Sequence, residues 1–336
     1  MTVNHIQKTR SLLLAALLGI ATGDVAFAQQ ARTRTLTLDP ATGEWMEAPP
    51  PPVGTAEGDL HAISVQISAG QHRSALKSIK KSIRRYGETD SVYPALLIAQ
   101  AEALVGRCDY VKAHKVLREF LTSFQGVELT SEAIRLEFVI AEAFLAGAKR
   151  KFLGMRVLSG ADFALQILDT ITADYPETGW AEYAMKTKAD HLFYRSNEHL
   201  LAEMEYARLL QDFPRSRYHQ PALLRSADAV LAGFRGIEYD EAALVEAEER
   251  YHEYRGRYAA SADREGIGRI LQGIAQQRAE KEFSIASYYE RTAHAGSAIY
   301  YYRSVVENWP RTLAAVKARE RLDLLGAEES AASAGG

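Results

Sequence analysis

Apolar residues recur at intervals of three and four positions along most of this chain, which is the spacing of one face of an α-helix. The stretch near the C-terminus shows the pattern in Ala298, Tyr302, Val305 and Trp309. The same periodicity begins near Asp59 and continues to about Leu325. The pattern therefore predicts an all-α structure over residues 59–325.

A set of three residues repeats within this helical region. An alanine is followed after four positions by a bulky apolar residue and after eleven positions by an aromatic residue. The six occurrences are Ala75-Ile79-Tyr86, Ala113-Leu117-Phe124, Ala164-Leu168-Tyr175, Ala202-Tyr206-Phe213, Ala247-Tyr251-Tyr258 and Ala298-Tyr302-Trp309. Successive aromatic residues lie 38 to 51 positions apart. The shorter intervals are close to the roughly 34-residue helix–turn–helix unit of tetratricopeptide repeats.

Packing explains why these residue types would recur. Alanine lets the second helix of a pair approach the first, the bulky residue fills the gap, and the aromatic residue packs against the next pair. The sequence therefore predicts a curved α-solenoid of about five to six tetratricopeptide-like helix pairs, with a concave surface. The longer intervals predict inserted turns, for example around Lys149 to Gly160.

Proline follows the aromatic residue in three of the six units, namely in Tyr175-Pro176, Phe213-Pro214 and Trp309-Pro310. Because proline cannot continue a helix, it is predicted to end each of these units.

The first 28 residues are typical of a secretory signal segment. Lys8 and Arg10 precede an apolar run from Ser11 to Ala21, and Ala26-Phe27-Ala28 supplies a small-x-small cleavage pattern. The apolar run is too short to span a bilayer. The sequence predicts cleavage before Gln29 and an exported, periplasmic protein without a membrane anchor.

Residues 29–58 differ in composition from the helical region. Leu36 and Leu38 alternate with threonine, a turn is expected at residues 39–43, and the pattern resumes at Trp45, which together predict a small hairpin. The run Pro49–Pro52 predicts a stiff polyproline II spacer. At the other end, residues 326–336 are predicted to be a disordered tail.

Charge and cysteine usage narrow the function classes. The formal net charge is −3 with both signs mixed along the chain, whereas nucleic-acid binders normally show a basic stripe. Cys108 is the single cysteine, so an intrachain disulfide is impossible, and we expect a buried or half-buried, inert thiol.

Catalytic and metal-binding motifs are absent from the sequence. The glycines of "REGIGRILQG" follow no predicted strand, so they do not indicate a phosphate-binding loop. His191 and His199 lie near Glu198, but a metal site needs a convergent third ligand. We therefore predict a protein that is not an enzyme and has no cofactor or metal. A catalytic site assembled only in three dimensions is the open alternative.

Partner-binding candidates come from the first helices of the predicted pairs and from tyrosines beyond those that repeat packing requires. The groove candidates are Tyr93, Gln100, Glu102, Phe193 and Arg195. The tyrosine candidates are Tyr288, Tyr300 and Tyr301. Tyrosine is favoured at interfaces, but these side chains are equally suited to covering a last helix from Thr312 to Leu325.

Several repeat ends resemble a known family. "YPETGWAEYA", "FPRSRYHQPALLRSA" and "WPRTLAAVKARERL" are similar to the aromatic-Pro-x-Ser/Thr ends of the outer-membrane β-barrel assembly lipoproteins called BamD or YfiO. Residues 279–312, "AEKEFSIASYYERTAHAGSAIYYYRSVVENWPRT", resemble the fifth repeat of that family. The matching positions are Lys281, Phe283, Ile285, Ala286, Tyr288 and Tyr289.

The resemblance implies a periplasmic scaffold of stacked tetratricopeptide repeats. Its expected partners are subunits of the β-barrel assembly machine and unfolded outer-membrane proteins. The lipid-anchor cysteine of the family is replaced here by Gln29. The alternative is an envelope or cell-division coordinator of the TolA-binding type, although residues 29–58 lack the heptads of its coiled coil.

Overall fold

The computed structural model describes residues 36–38, 45–47, 50–124, 128–152, 155–234, 236 and 241–334. The chain divides into two compact units, Met1–Leu96 and Leu97–Gly336. The predicted signal segment and the turn of the predicted hairpin lie outside the described residues. Within the described ranges, no helix is both long enough and apolar enough to cross a membrane.

The first unit contains a two-stranded ribbon and a helix pair. Its elements are β1 (Leu36–Leu38), β2 (Trp45–Glu47), α1 (Ala56–Ser68) and α2 (His72–Tyr86). The strands pair in antiparallel fashion, as the sequence predicts, and α1 packs against α2. The Thr55 hydroxyl accepts the Gly58 N–H at 3.0 Å, which caps α1 and starts it slightly before the expected position at Asp59.

Helix α3 (Tyr93–Gly106) spans the boundary of the two units. The further helices are α4 (Tyr110–Ser123), α5 (Thr130–Leu145), α6 (Ala161–Asp174), α7 (Gly179–His191), α8 (His199–Asp212), α9 (His219–Gly233), α10 (Glu241–Arg257), α11 (Ala259–Glu265), α12 (Ile267–Arg291), α13 (Ala295–Asn308) and α14 (Leu313–Ala334). Helices pack within the pairs α5/α6, α7/α8, α9/α10 and α12/α13, and each pair packs against the next. The fold is therefore an all-α stack of tetratricopeptide-type helix pairs, as predicted.

A second ribbon interrupts the helices where inserted turns were expected. Strands β3 (Lys149–Phe152) and β4 (Met155–Ser159) pair in antiparallel fashion, with an irregular register between Arg150 and Lys151. This ribbon connects α5 to α6 and explains one of the long repeat intervals.

Burial follows the repeated triplet. The six alanines are 0% exposed, and the six middle residues are at most 1% exposed. The six aromatic residues at the helix ends are half-buried. Because a 0% exposed alanine leaves no space for a larger side chain, these positions are the points of closest helix approach.

The five aromatic helix ends of the second unit share one backbone geometry. The residues concerned are Phe124, Tyr175, Phe213, Tyr258 and Trp309, with φ between −126° and −133° and ψ between 52° and 66°. Each donates its N–H to the carbonyl four residues earlier. Proline follows three of the five, and those three helices end before it, as predicted. The aromatic residue and its backbone conformation mark the end in all five.

The threonine of the aromatic-Pro-x-Thr motif caps the next helix. The Thr178 hydroxyl donates to the Tyr175 carbonyl at 2.6 Å and accepts the Ala181 N–H at 3.3 Å. Thr312 forms the same two bonds with Trp309 and Ala315. The motif therefore joins the end of one helix to the N-cap of the next.

Two expectations are wrong. Cys108 is exposed, because it lies in the tight turn between α3 and α4 with φ of 56°. Helix α14 continues through Ala334, whereas a disordered tail was expected from residue 326. The tail sequence "AEESAASA" is rich in alanine and glutamate, which favour helix.

Candidate functional site

In three helix pairs, a tyrosine of the second helix bonds an acidic residue of the first. Tyr206 Oη donates to Asp190 at 2.6 Å, Tyr251 Oη to Asp228 at 2.7 Å, and Tyr302 Oη to Glu290 at 2.8 Å. Burial raises the pKa of Tyr206 and of Tyr251, and the acidic partners add to it, so these hydroxyls stay protonated and donate.

Each of these carboxylates also meets a basic side chain. Lys186 Nζ lies 2.9 Å from Asp190, Arg225 lies 2.5 Å from Asp228, and Arg321 forms an ion pair with Glu290. A chain of tyrosine, acid and base thus leads from the core of each pair toward its surface.

Ring contacts connect α5 and α7 to the start of α9. Trp180 stacks on the buried Phe138 with the ring centroids 5.5 Å apart, and Tyr183 contacts Phe138 at 5.1 Å. Tyr183 Oη donates to Glu142 at 2.8 Å, and its ring lies 6.3 Å from that of Tyr218. Aromatic residues of three successive helix pairs are therefore joined by ring contacts, through the buried Phe138.

Basic side chains lie over the tyrosine rings of this surface. Lys186 Nζ is 5.7 Å and the Arg217 guanidinium carbon 4.7 Å from the centroid of Tyr218. These distances fit cation–π contacts, which hold the charged groups beside the rings.

Tyr194 lies in a π-helical turn, Leu192–Ser196, between α7 and α8. The Glu198 N–H donates to the Leu192 carbonyl at 2.9 Å, six residues earlier. This turn therefore carries one residue more than the equivalent turn of the last pair, where the His294 N–H donates to the Tyr289 carbonyl. Tyr194 is 54% exposed, and the Arg225 guanidinium carbon lies 5.7 Å from its ring centroid. Single π turns occur frequently at functional sites.

We define these residues as the aromatic–cation strip. Its members are Trp180, Tyr183, Lys186, Tyr194, Arg217, Tyr218 and Arg225. Tyr194 and Arg217 are exposed and the other members are half-buried. Tryptophan, tyrosine and arginine are enriched among the residues that contribute most to protein interfaces. The strip is therefore the candidate functional site of the second unit.

Two of the sequence-predicted candidates adjoin the strip. Phe193 is half-buried and meets Tyr194 edge to face at 4.8 Å, and Arg195 is exposed. Gln100 and Glu102 are half-buried on α3, where Arg135 lies 4.0 Å from Glu102. Burial, together with Glu132, raises the pKa of Glu102.

Tyr93 is a correction to the candidate set. Its side chain is buried, so it belongs to the core at the start of α3 and is not available to a partner.

The C-terminal tyrosines form a row between α12 and α13. Tyr289 and Tyr301 stack with an interplanar angle of 5° and pack against the buried cluster that includes the last helix. Tyr288 and Tyr300 extend the row at its two ends and are 57% and 68% exposed. The inner pair thus covers the core, whereas the outer pair lies on the surface.

A buried carboxylate lies between α4 and α5. Glu137 Oε2 is 2.7 Å from His114 Nδ1, whereas Glu137 Oε1 is buried without a hydrogen-bond partner. Burial raises the pKa of Glu137, and the hydrogen bond from His114 together with the charge of Arg118 partly opposes that rise. The stability that Glu137 contributes to the fold is therefore expected to depend on pH.

Most strip residues were not found from the sequence. Trp180, Tyr183 and Tyr218 contribute through contacts between helix pairs, which one-dimensional periodicity does not report. One signal was available, because tyrosine replaces an aliphatic residue in the middle of the last three triplets. A buried phenol needs a partner, which points to an acid on the facing helix.

In the described part of the chain, no group of three or more His, Cys, Asp or Glu side chains is arranged to hold a metal ion.

Comparisons with known proteins supply no family for this chain. No family model and no curated protein matches the sequence. A tetratricopeptide repeat protein from Parabacteroides merdae ATCC 43184 is 14% identical over 80% of this chain and 98% of its own, with a TM-score of 0.35. The C-terminal part of a TPR repeat-containing protein from Cytophaga hutchinsonii is 13% identical over 77% and 98% of the two chains, with a TM-score of 0.25.

Proposed function

We propose that this protein is a non-enzymatic scaffold that binds extended segments of partner proteins along the aromatic–cation strip. The observation that carries the proposal is the continuity of rings and cations from α5 through α7 to α9. Stacked helix pairs contact their neighbours and together create extended binding surfaces.

The surface chemistry fits a protein partner. Tyrosine and tryptophan supply large contact areas with few rotatable bonds, so their ordering costs little on binding. Arginine adds charged hydrogen bonds in a fixed planar geometry. Because the strip mixes these groups over several turns of helix, an extended segment can contact it at several points.

The cellular setting that we propose is the periplasm. The signal-like segment before Gln29 and the BamD-like repeat ends support an envelope scaffold that handles unfolded outer-membrane proteins or contacts the β-barrel assembly machine. Without a cysteine near the predicted cleavage point, the proposal includes no lipid anchor.

Fluorescence anisotropy tests the binding site. The probe is a labelled, unfolded segment of an outer-membrane β-barrel protein, and the variants are Tyr194→Ala and Leu200→Ala. Both side chains are exposed, and only Tyr194 belongs to the strip. We expect Tyr194→Ala to weaken binding about tenfold and Leu200→Ala to leave it unchanged, since interface tyrosines often contribute more than about 1 kcal/mol. Equal loss in both variants would place binding elsewhere.

Fractionation tests the setting. Recovery of the mature protein in the periplasm, with a β-barrel assembly subunit copurifying, is the expected result. Recovery in the cytoplasm with the first 28 residues retained would contradict it.

A further inference from the structure

We propose that the aromatic–cation strip selects segments in which a carboxylate side chain lies beside an aromatic one. This inference rests on the proposed function, because it names the chemistry of the segment that the strip binds.

The acids around the strip are already engaged. Four of these acids are half-buried, and each of the four accepts a hydrogen bond from a hydroxyl group. The pairs are Glu142 with Tyr183, Glu182 with Ser216, Asp190 with Tyr206, and Asp228 with Tyr251. Because each of these four carboxylates already accepts a hydrogen bond, it has less capacity left for a basic partner.

The cations reach further out. Arg195, which adjoins the strip, and Arg217 of the strip are exposed, and the side chain of Arg225 keeps 36% of its surface accessible. A guanidinium carries five N–H donors, of which the bond from Arg225 Nη1 to Asp228 uses one. Arg195 and Arg225 therefore place positive charge beside Tyr194, and Arg225 has donors left for an incoming carboxylate.

Tyr194 supplies the aromatic half of the proposed site. Its exposed ring lies edge to face with Phe193 and beside the guanidinium of Arg225. An aromatic side chain of the partner can pack on Tyr194, and a neighbouring carboxylate then falls within reach of Arg195 or Arg225. Charge complementarity of this kind governs selectivity and association more than total affinity.

Three labelled peptides of one host sequence test the proposal. They differ only in a central Glu-Phe, Gln-Phe or Lys-Phe pair, and their affinities are measured by anisotropy at low and high salt. We expect Glu-Phe to bind about tenfold more tightly than Gln-Phe at low salt, and Lys-Phe to bind most weakly. High salt should reduce the preference, because exposed charges are screened.

Protein variants locate the preference. Arg195→Gln should lower the ratio between Glu-Phe and Gln-Phe binding while leaving Gln-Phe unchanged. Arg208→Gln changes an exposed arginine outside the strip and should leave both unchanged.

The outcomes separate this inference from the proposed function. Equal binding of the three peptides, with loss in Tyr194→Ala, would overturn the preference for carboxylates and leave the scaffold intact. If none of the peptides and no unfolded β-barrel segment binds, the proposed function fails and this inference fails with it.

Discussion

The hydroxyl of Tyr206 lies 2.6 Å from the carboxylate of Asp190, and this bond connects the repeat core to the strip. Tyr206 is 1% exposed and sits in the middle of its triplet, whereas Asp190 meets Lys186 near the surface. The residue that fills the gap between two helices therefore also fixes a carboxylate under the candidate binding site.

Removing that hydroxyl should destabilise the fold. Tyr206→Phe leaves the ring in place but takes a donor from a half-buried carboxylate, and we expect the free energy of unfolding to fall by about 1–3 kcal/mol. Tyr300→Phe, at an exposed position, is the control and should have no effect. Denaturant unfolding of both variants measures the difference. Equal stability of the two variants would show that the bond contributes nothing.

The repeat alanines should not tolerate enlargement. Ala164 is 0% exposed and Ala173 is exposed on the same helix, α6. Ala164→Leu should lower stability by about 1–3 kcal/mol or more because the core is overpacked, and Ala173→Leu should change it little. Thermal melts decide the matter, and matching melting temperatures would contradict the repeat register.

The helix ends allow proline and threonine to be compared within one motif. Thr178→Ala removes the N-cap of α7 and should cost about 0.5–2 kcal/mol. Pro176→Ala should cost less, because Phe124 and Tyr258 end their helices in the same geometry without a following proline. A larger loss of stability for Pro176→Ala than for Thr178→Ala in urea titrations would contradict this, and would show that proline contributes more than the cap.

Much of this fold could be predicted from the sequence because the triplet is local. Ala202, Tyr206 and Phe213 lie on one helix, and their spacing alone fixes which face is buried. The strip could not be predicted in the same way, since Trp180 and Tyr218 come together only when pairs stack. Tyr93 was wrongly predicted to bind a partner. It was chosen because it lies on a first helix, and that position alone does not distinguish the exposed face from the buried one.

Glu137 should make stability depend on pH. Burial raises its pKa in the folded protein, whereas the unfolded chain ionises near the ordinary value of about 4.3. The stability from this group is therefore present below the unfolded pKa and is lost as pH rises through the folded pKa. Because glutamine does not ionise, Glu137→Gln should gain stability relative to the unmodified protein at pH 7, and gain less at pH 4. A larger gain at pH 4 than at pH 7 would contradict a raised pKa of Glu137 in the folded protein.

Photo-crosslinking tests the central claim, that the aromatic–cation strip contacts an extended partner segment. A photoreactive phenylalanine analogue is placed at position 194 in one protein and at position 111 in another, since Tyr194 and Val111 are both exposed and only Tyr194 lies in the strip. Each protein is irradiated with the same labelled, unfolded β-barrel segment. We predict a strong crosslink from position 194 that excess unlabelled segment removes, and a weak one from position 111. Equal crosslinking from the two positions, or crosslinking from position 111 alone, would contradict the account.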